Sequence, residues 1–289
     1  MDTQSIPGLA AREIDCVNKR EVTPLTFTAV DGLAFAAQKG KLGRSSSHSF
    51  MAGDIGPLLE LRHLSADGLL TPFENILSES PSYTTDLFLA LKQSQQLWIC
   101  PSTRRAGFFR TTDSEADASN AYHFGMAAQK AAIDAGFSKH VGSQLVAAVL
   151  EMVDNIYLHS TLSETGLAAF HARPGYFEFA VVDRGVGILR SLQENSEYAQ
   201  LNDHGDALQT ALTDGCSRFG SDSKHGHGFR SLFIGLSNLN GALRFRTGDH
   251  ALTIDGRDPI SIPWTKLAKP NISGFLAFVS CRTHARSKG

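Results

Sequence analysis

The sequence Glu151-Met-Val-Asp-Asn155-Ile-Tyr-Leu-His159-Ser160 decides the fold, because it predicts a helix with three polar side chains on one face. Glu151, Asn155 and His159 lie four residues apart, and side chains with that spacing stack above one another on a helix. An asparagine amide oxygen can bind Mg²⁺ when phosphates and water complete the coordination. A glutamate one turn earlier can orient or deprotonate a nucleophile. The alternative is an ordinary polar surface helix, so this segment alone identifies no function.

A second segment, Asp183-Arg-Gly185-Val-Gly187, follows a strand-like apolar run over residues 177–182. A carboxylate at the end of that strand could accept a hydrogen bond from the exocyclic amine of adenine. Gly185 and Gly187 would let the backbone turn sharply and pass close to the ring. A simple strand-ending turn has the same composition, so this segment is also ambiguous by itself.

A third segment, Gly226-His-Gly228, leads directly into a predicted amphipathic helix. A glycine turn at a helix N-terminus presents free backbone N–H groups and a partial positive charge, which favour phosphate. Lys224, in the preceding loop, could add charge to the same anion. The alternative is a glycine-rich connector, and the segment lacks the third glycine of a dinucleotide-binding fingerprint.

In this order, the three segments resemble the N-box and the two glycine boxes of the GHKL superfamily of ATP-binding domains. The superfamily includes gyrase, histidine kinases, mismatch-repair ATPases and heat-shock chaperones of the ninety-kilodalton class. The resemblance spans residues 121–281 and is closest to histidine-kinase-like and anti-sigma-type serine kinase domains. It implies an α/β (α+β) two-layer sandwich of the Bergerat type, in which helices cover one face of a mixed, mostly antiparallel sheet.

The resemblance also implies a site for ATP and Mg²⁺. Glu151 would be the general base, Asn155 would bind Mg²⁺, and Asp183 would hold adenine. The remaining predicted nucleotide contacts are His159, Gly185, Gly187, Lys224, Gly226 and Gly228. One departure affects this site: the last strand of the family often carries Gly-Thr, whereas this chain has Gly274-Phe275, which lacks the hydroxyl.

The sequence predicts two regions. Residues 120–285 form the ATP-binding domain, with a lid over about 188–226 that holds one short helix near 206–213. Residues 1–115 form a small α/β region without a recognised motif, with strand-like pieces within 25–35, a helix over 83–95 and a strand over 97–100. The polar stretch 111–120 is interpreted as a linker or helix lead-in.

Composition narrows the classes of partner. The formal net charge is −2, so no basic field predicts binding to nucleic acid or to a membrane surface. Four widely separated cysteines predict neither a zinc site nor a disulfide framework. The N-terminus resembles no secretion signal, and no apolar run approaches the roughly 20 residues of a membrane span. We therefore expect a cytoplasmic protein.

Three functions remain open from the sequence. The first is a signalling kinase or ATPase switch that acts on a protein partner. The second is an ATP-gated binding module with negligible turnover, and the third is a structural member that uses the fold only to form a homodimer. A complete sensor histidine kinase is disfavoured, because no histidine before the domain has the context of a phosphoacceptor.

Overall fold

A computed structural model describes residues 23–41, 50–78, 81–112, 116–212, 241–255 and 265–283. The helices are α1 (Phe27–Gln38), α2 (Ile55–Ala66), α3 (Thr85–Leu91), α4 (Ala116–Asp134), α5 (Lys139–His159), α6 (Gly187–Gln193) and α7 (His204–Ala211). The strands are β1 (Thr23–Pro24), β2 (Phe50–Met51), β3 (Leu77–Ser78), β4 (Leu97–Ile99), β5 (Ala106–Arg110), β6 (Leu167–Arg173), β7 (Tyr176–Asp183), β8 (Ala242–Asp255) and β9 (Thr265–Arg282).

A six-stranded sheet in the order β4-β5-β6-β7-β9-β8 forms the centre of the structure. Every neighbouring pair in it is antiparallel, so the predicted mixed α/β architecture is confirmed and its main sheet is antiparallel throughout. The predicted hairpin corresponds to β6 and β7, and its turn contains Gly175 with a φ of +74°. Each residue of β7 is buried, which requires apolar cover on both faces of the sheet.

Helices α4 and α5 cover one face of this sheet. The apolar stripe predicted for α5 lies in the core beneath it: Leu145, Val149, Met152, Val153 and Ile156. Ser138 caps the helix by accepting a hydrogen bond from the backbone N–H of Val141. Periodicity was therefore sufficient to predict α5, since one strongly apolar stripe determines which face packs on the sheet.

The opposite face of the sheet is covered by α1, α2 and α3. Phe179 and Val181 of β7 belong to the core under α4 and α5, whereas Ala180 and Val182 belong to the core under α2. The sheet therefore lies between two helical layers, while the sequence predicted helices on one face. The physical reason is that alternate residues of β6 and β7 place apolar side chains on the second face of the sheet as well. Those side chains also need to be removed from water.

The region before residue 115 contains its own small sheet. Strands β1, β2 and β3 pair in parallel, each over two residues. The predicted strand pieces within 25–35 are wrong, because this segment is α1, which is capped by the Thr26 hydroxyl and buries Val30, Leu33 and Ala34 at helical spacing. Strands β4 and β5 also lie in this part of the sequence, but they belong to the six-stranded sheet.

One helix of the described part of the chain, Lys139–His159, has the length and composition of a marginal membrane span. This is weak evidence for a span, because the apolar stripe of the same helix packs into the core of the α/β domain. The sequence analysis predicted no apolar run long enough to span a membrane, so this marginal helix was not expected.

Candidate functional site

The C-terminal end of β7 carries the buried carboxylate of Asp183, which is 6% exposed. Its Oδ1 accepts a hydrogen bond of 2.8 Å from the backbone N–H of Gly185. Burial raises the pKa of Asp183, although hydrogen bonds from Gly185 and Ser160 and the charge of His63 oppose the increase. The result is a carboxyl group fixed in a dry environment at the edge of the sheet.

The turn after Asp183 packs directly on the C-terminal end of α5. The carbonyl oxygen of Ser160 accepts a 2.9 Å hydrogen bond from the backbone N–H of Val186. A Cβ added to Gly185 would lie 1.9 Å from that same carbonyl oxygen, so no larger residue fits without a shift of the backbone. The first predicted glycine is therefore required by packing between the turn and α5.

Gly187 begins α6 with a φ of +74°, a conformation that favours glycine. A Cβ there would lie 2.8 Å from Oγ1 of Thr247, a residue of β8. This Thr247 hydroxyl donates to the carbonyl oxygen of Gly274 at 2.8 Å and accepts from the backbone N–H of Ile188 at 3.2 Å. Thr247 thus ties the start of α6 to β9.

Gly274, in β9, forms the third close backbone contact of the site. Its φ is +60°, and an added Cβ would lie 2.1 Å from the carbonyl oxygen of Asp183 and 2.7 Å from Oδ1 of the same residue. The carboxylate of Asp183 is consequently surrounded by the backbones of the 185–187 turn, the end of α5 and the Gly274 segment.

Helix α5 carries the other predicted residues along one face. Glu151 is exposed, and Asn155 and His159 are half-buried. Nδ1 of His159 lies 3.2 Å from Oγ of Ser191, which links the last turn of α5 to α6. Glu151 lies two turns, about 12 Å, from His159 along the helix axis. The α5 end that touches the Asp183 turn is therefore the His159 end.

The predicted lid is described only up to residue 212. It contains two helices, α6 and α7, with a short 3-10 turn at Ser196–Tyr198 between them, whereas the sequence predicted one short helix. Helix α6 was not predicted, because it follows the glycine turn immediately and is only two turns long, too short to show a clear apolar periodicity. Lys224, Gly226 and Gly228 lie outside the described residues, and they stay predictions.

The last turn of α2 supports the site from the opposite face of the sheet. Asp67 accepts hydrogen bonds from the backbone N–H and the hydroxyl of Ser273, at 2.8 and 2.6 Å. Nε2 of His63 lies 2.9 Å from the carbonyl oxygen of Ser273. Partial burial opposes ionisation of Asp67, but hydrogen bonds from His63 and Ser273 outweigh it and lower the pKa of Asp67 to about 2.

The sequence did not identify Thr247, Asp67 or Ser273 as part of this site. Each contacts a segment that lies far away in sequence, and none belongs to a recognisable motif. Ser160 ends the helix segment in the sequence, but its carbonyl contact with the 185–186 turn has no sequence signal. The departure at Gly274-Phe275 was the only indication in the sequence that the middle of β9 borders the site.

In the described part of the chain, no three His, Cys, Asp or Glu side chains converge on a point that could hold a metal ion. Asn155 therefore stays a predicted Mg²⁺ ligand that would need phosphate and water to complete the coordination. In comparisons with known proteins, no protein-family model matches the sequence and no curated protein is significantly similar to it.

Proposed function

We propose that residues 120–285 form a GHKL-type ATP-binding domain of the Bergerat type, and that the protein is a cytoplasmic signalling kinase or ATPase switch acting on a protein partner. The observation that carries the proposal is the buried carboxylate of Asp183, surrounded by glycine backbone where β7 meets the end of α5. A buried carboxyl in an enclosed edge of a sheet has a desolvation cost, and polar groups of this kind mark binding sites.

The Asp183 carboxylate suits the exocyclic amine of adenine. An ionised carboxylate offers about four lone-pair positions, and hydrogen bonds from Gly185 and Ser160 use two of them. The remaining acceptor capacity can bind an amine donor. A Cβ at Gly274 would lie 2.7 Å from Oδ1 of this carboxyl group, and a Cβ at Gly185 would collide with Ser160, so the two glycines keep the backbone close to the proposed ring position.

The exposed face of α5 suits the phosphate end of the ligand. ATP supplies the transferable phosphoryl group, and Mg²⁺ offsets its negative charge. Asn155 is half-buried and its amide oxygen would hold Mg²⁺, while Glu151 is exposed one turn earlier and would accept a proton from the nucleophile. Lys224, Gly226 and Gly228 would contact the phosphates, and His159 would support the lid through Ser191.

The order of elements is consistent with the same proposal. Helix α5, the β6–β7 hairpin, the Asp183 turn, the described part of the lid and the β8–β9 pair follow one another as the resemblance implies, and the four strands share one sheet. The layer formed by α1, α2 and α3 is additional to a two-layer domain. Because Asp67 and His63 of that layer contact Ser273, this layer could transmit the binding of a partner to the nucleotide site.

The first experiment measures binding of Mg²⁺-ATP to the full chain by calorimetry, with Asp183→Asn as the test variant. We expect at least a tenfold weaker affinity, because an amide cannot replace an acceptor-only carboxylate. Asp183→Asn is expected to fold, since the raised pKa means that ionised Asp183 costs stability at neutral pH. Asp134→Asn, on the exposed surface of α4, is the matched control. Absence of ATP binding by the unmodified chain would refute the proposal.

A second experiment separates the switch from the alternative of an ATP-gated binding module. Phosphate release and phosphotransfer are measured for the unmodified chain and for Glu151→Ala. Turnover that disappears in the variant supports a kinase or ATPase, whereas ATP binding with background turnover in both proteins supports the binding module. Glu151 is exposed on α5, which is compatible with both the kinase or ATPase and the binding module, so only the measured turnover separates them.

A further inference from the structure

Two arginines lie at one edge of the central sheet, on the face covered by α2. Arg110 ends β5, two residues after Phe108, and Arg184 follows β7, two residues after Val182. Phe108 and Val182 both belong to the core under α2, and side chains two apart on a strand share a face. Because β6 lies between β5 and β7, the two arginines leave the sheet about 10 Å apart.

A third arginine, Arg62, approaches the same edge from α2. NH1 of Arg184 donates a 3.1 Å hydrogen bond to the carbonyl oxygen of Ala66, one helical turn after Arg62. Arg184 therefore crosses under the last turn of α2. Arg110 is fixed by hydrogen bonds from its guanidinium to the carbonyl oxygens of Leu91, Gln93 and Gln95, at 2.8 to 3.1 Å.

The Arg62 guanidinium is half-buried and has no hydrogen bond or ion pair with any described residue. Burial and the positive charges of Arg110 and Arg184 lower the pKa of Arg62 to about 10. Among the described residues, Glu74 is the carboxylate that offsets this effect, and it lies beyond ion-pair distance from Arg62. Three positive charges thus lie at one edge of the sheet, and an anion bound there would relieve the repulsion between them.

We propose that Arg62, Arg110 and Arg184 form a binding site for a phosphate group, on the face of the sheet opposite the Asp183 side chain. The planar guanidinium presents paired N–H donors that match phosphate oxygens. No described residue occupies the donors of Arg62, while Arg110 and Arg184 use some of theirs to hold position. A phosphate dianion balances three cations better than a chloride or a single carboxylate. The ligand is inorganic phosphate or a small phosphate monoester.

This site is independent of the proposed nucleotide site. Val181 and Val182 point to opposite faces of β7, and Asp183 and Arg184 continue that alternation. The two sites are nevertheless adjacent, since Arg184 directly follows Asp183 in the chain. An anion at Arg62 therefore need not compete with ATP at Asp183.

Calorimetry and ³¹P NMR on the full chain test the site, with inorganic phosphate and glycerol 3-phosphate titrated separately at constant ionic strength. We expect saturable binding that weakens at least tenfold in Arg62→Gln and severalfold in Arg184→Gln. Arg105→Gln is the matched control, because Arg105 is exposed at the opposite end of β5. Tighter binding of one probe identifies whether free phosphate or the monoester is the better ligand.

Two further variants keep the test decisive. Because Arg62 is half-buried, Arg62→Lys serves if Arg62→Gln does not fold, and it retains the charge but loses the paired donors. Asn155→Ala, on the α5 face proposed for the phosphate end of ATP, should leave phosphate affinity unchanged, which excludes binding of the probe at the nucleotide site. Absence of saturable binding, or affinity unchanged in both the Arg62 and Arg184 variants, would overturn the proposal.

Discussion

Phe275 lies directly opposite Asp183 in the antiparallel pair of β7 and β9. Directly opposite residues of such a pair share a face, with Cβ atoms about 5 Å apart. The Phe275 ring is half-buried and stacks on Phe245, with ring centroids 5.8 Å apart. An aromatic ring therefore borders the buried carboxylate at the position where the proposed resemblance implies a threonine.

We expect Phe275→Thr to bind ATP more tightly, by about fivefold, because one added hydrogen bond contributes about 1 kcal/mol. The same change should lower the free energy of unfolding by about 2 kcal/mol, since part of a packed ring is lost. Calorimetry and urea denaturation measure the two effects.

Phe275→Val is the matched control, because valine has the shape of threonine without the hydroxyl. It should lose similar stability and gain no affinity. Equal ATP affinities of the Thr and Val variants would show that the hydroxyl has no role beside Asp183.

Gly274→Ala should lower the free energy of unfolding by about 3 kcal/mol or more. The positive φ alone costs an alanine about 1 kcal/mol, and the added Cβ would also collide with the carbonyl of Asp183. Gly68→Ala is the control, because Gly68 has a φ of +77° but no atom within 4 Å of the added Cβ. Similar losses in both variants, measured by urea denaturation, would contradict a steric role for Gly274.

The sequence predicted well what depends on local periodicity. Helix α5 and the β6–β7 hairpin follow from one apolar stripe and one turn, and both are confirmed. The same reasoning gave the wrong structure for α1, because the apolar residues of a short segment fit strand and helix patterns equally well. In that segment the Thr26 cap and the burial of Val30 and Ala34 decide in favour of the helix.

The surroundings of the candidate site could be predicted only in part. Asp183, Gly185 and Gly187 lie close together in the sequence, so their motif was visible. The contacts of Thr247 with Gly274 and of Asp67 with Ser273 join residues that are far apart in the chain. Such pairs depend on which strands and helices become neighbours, and a single sequence carries no direct signal of that.

Asp67 should make stability depend on pH in the acid range. Its pKa is about 2 in the folded protein, below the ordinary value of 3.8. The group therefore stabilises the fold above about pH 4, and this contribution is lost as the pH falls towards 2. The shift corresponds to about 2 kcal/mol, which solvent screening at this partly exposed group reduces to about 1 kcal/mol.

Asp67→Asn removes this dependence. Urea denaturation between pH 1.5 and 7 should show the variant about 1 kcal/mol less stable at pH 6, with the difference disappearing near pH 2 and below. The exposed Asp134→Asn should show almost no difference at either pH. A difference between Asp67→Asn and the unmodified chain that stays constant over this range would exclude an ionised Asp67 bound to Ser273.

Glu60 joins the α2 layer to β8 through a buried ionic network. It is fully buried, accepts hydrogen bonds of 2.8 and 2.9 Å from Arg244, and also binds Arg246. Although burial opposes the charged form, the two arginines hold the pKa of Glu60 below its ordinary value.

Glu60→Gln should destabilise the fold by about 3–5 kcal/mol, because it leaves two buried arginine charges without their shared counterion. Asp134→Asn again serves as the reference for an exposed ion pair, whose loss costs less than about 1 kcal/mol. Urea denaturation gives both values. A Glu60→Gln loss no larger than that reference would show that this buried network contributes no more stability than an exposed ion pair.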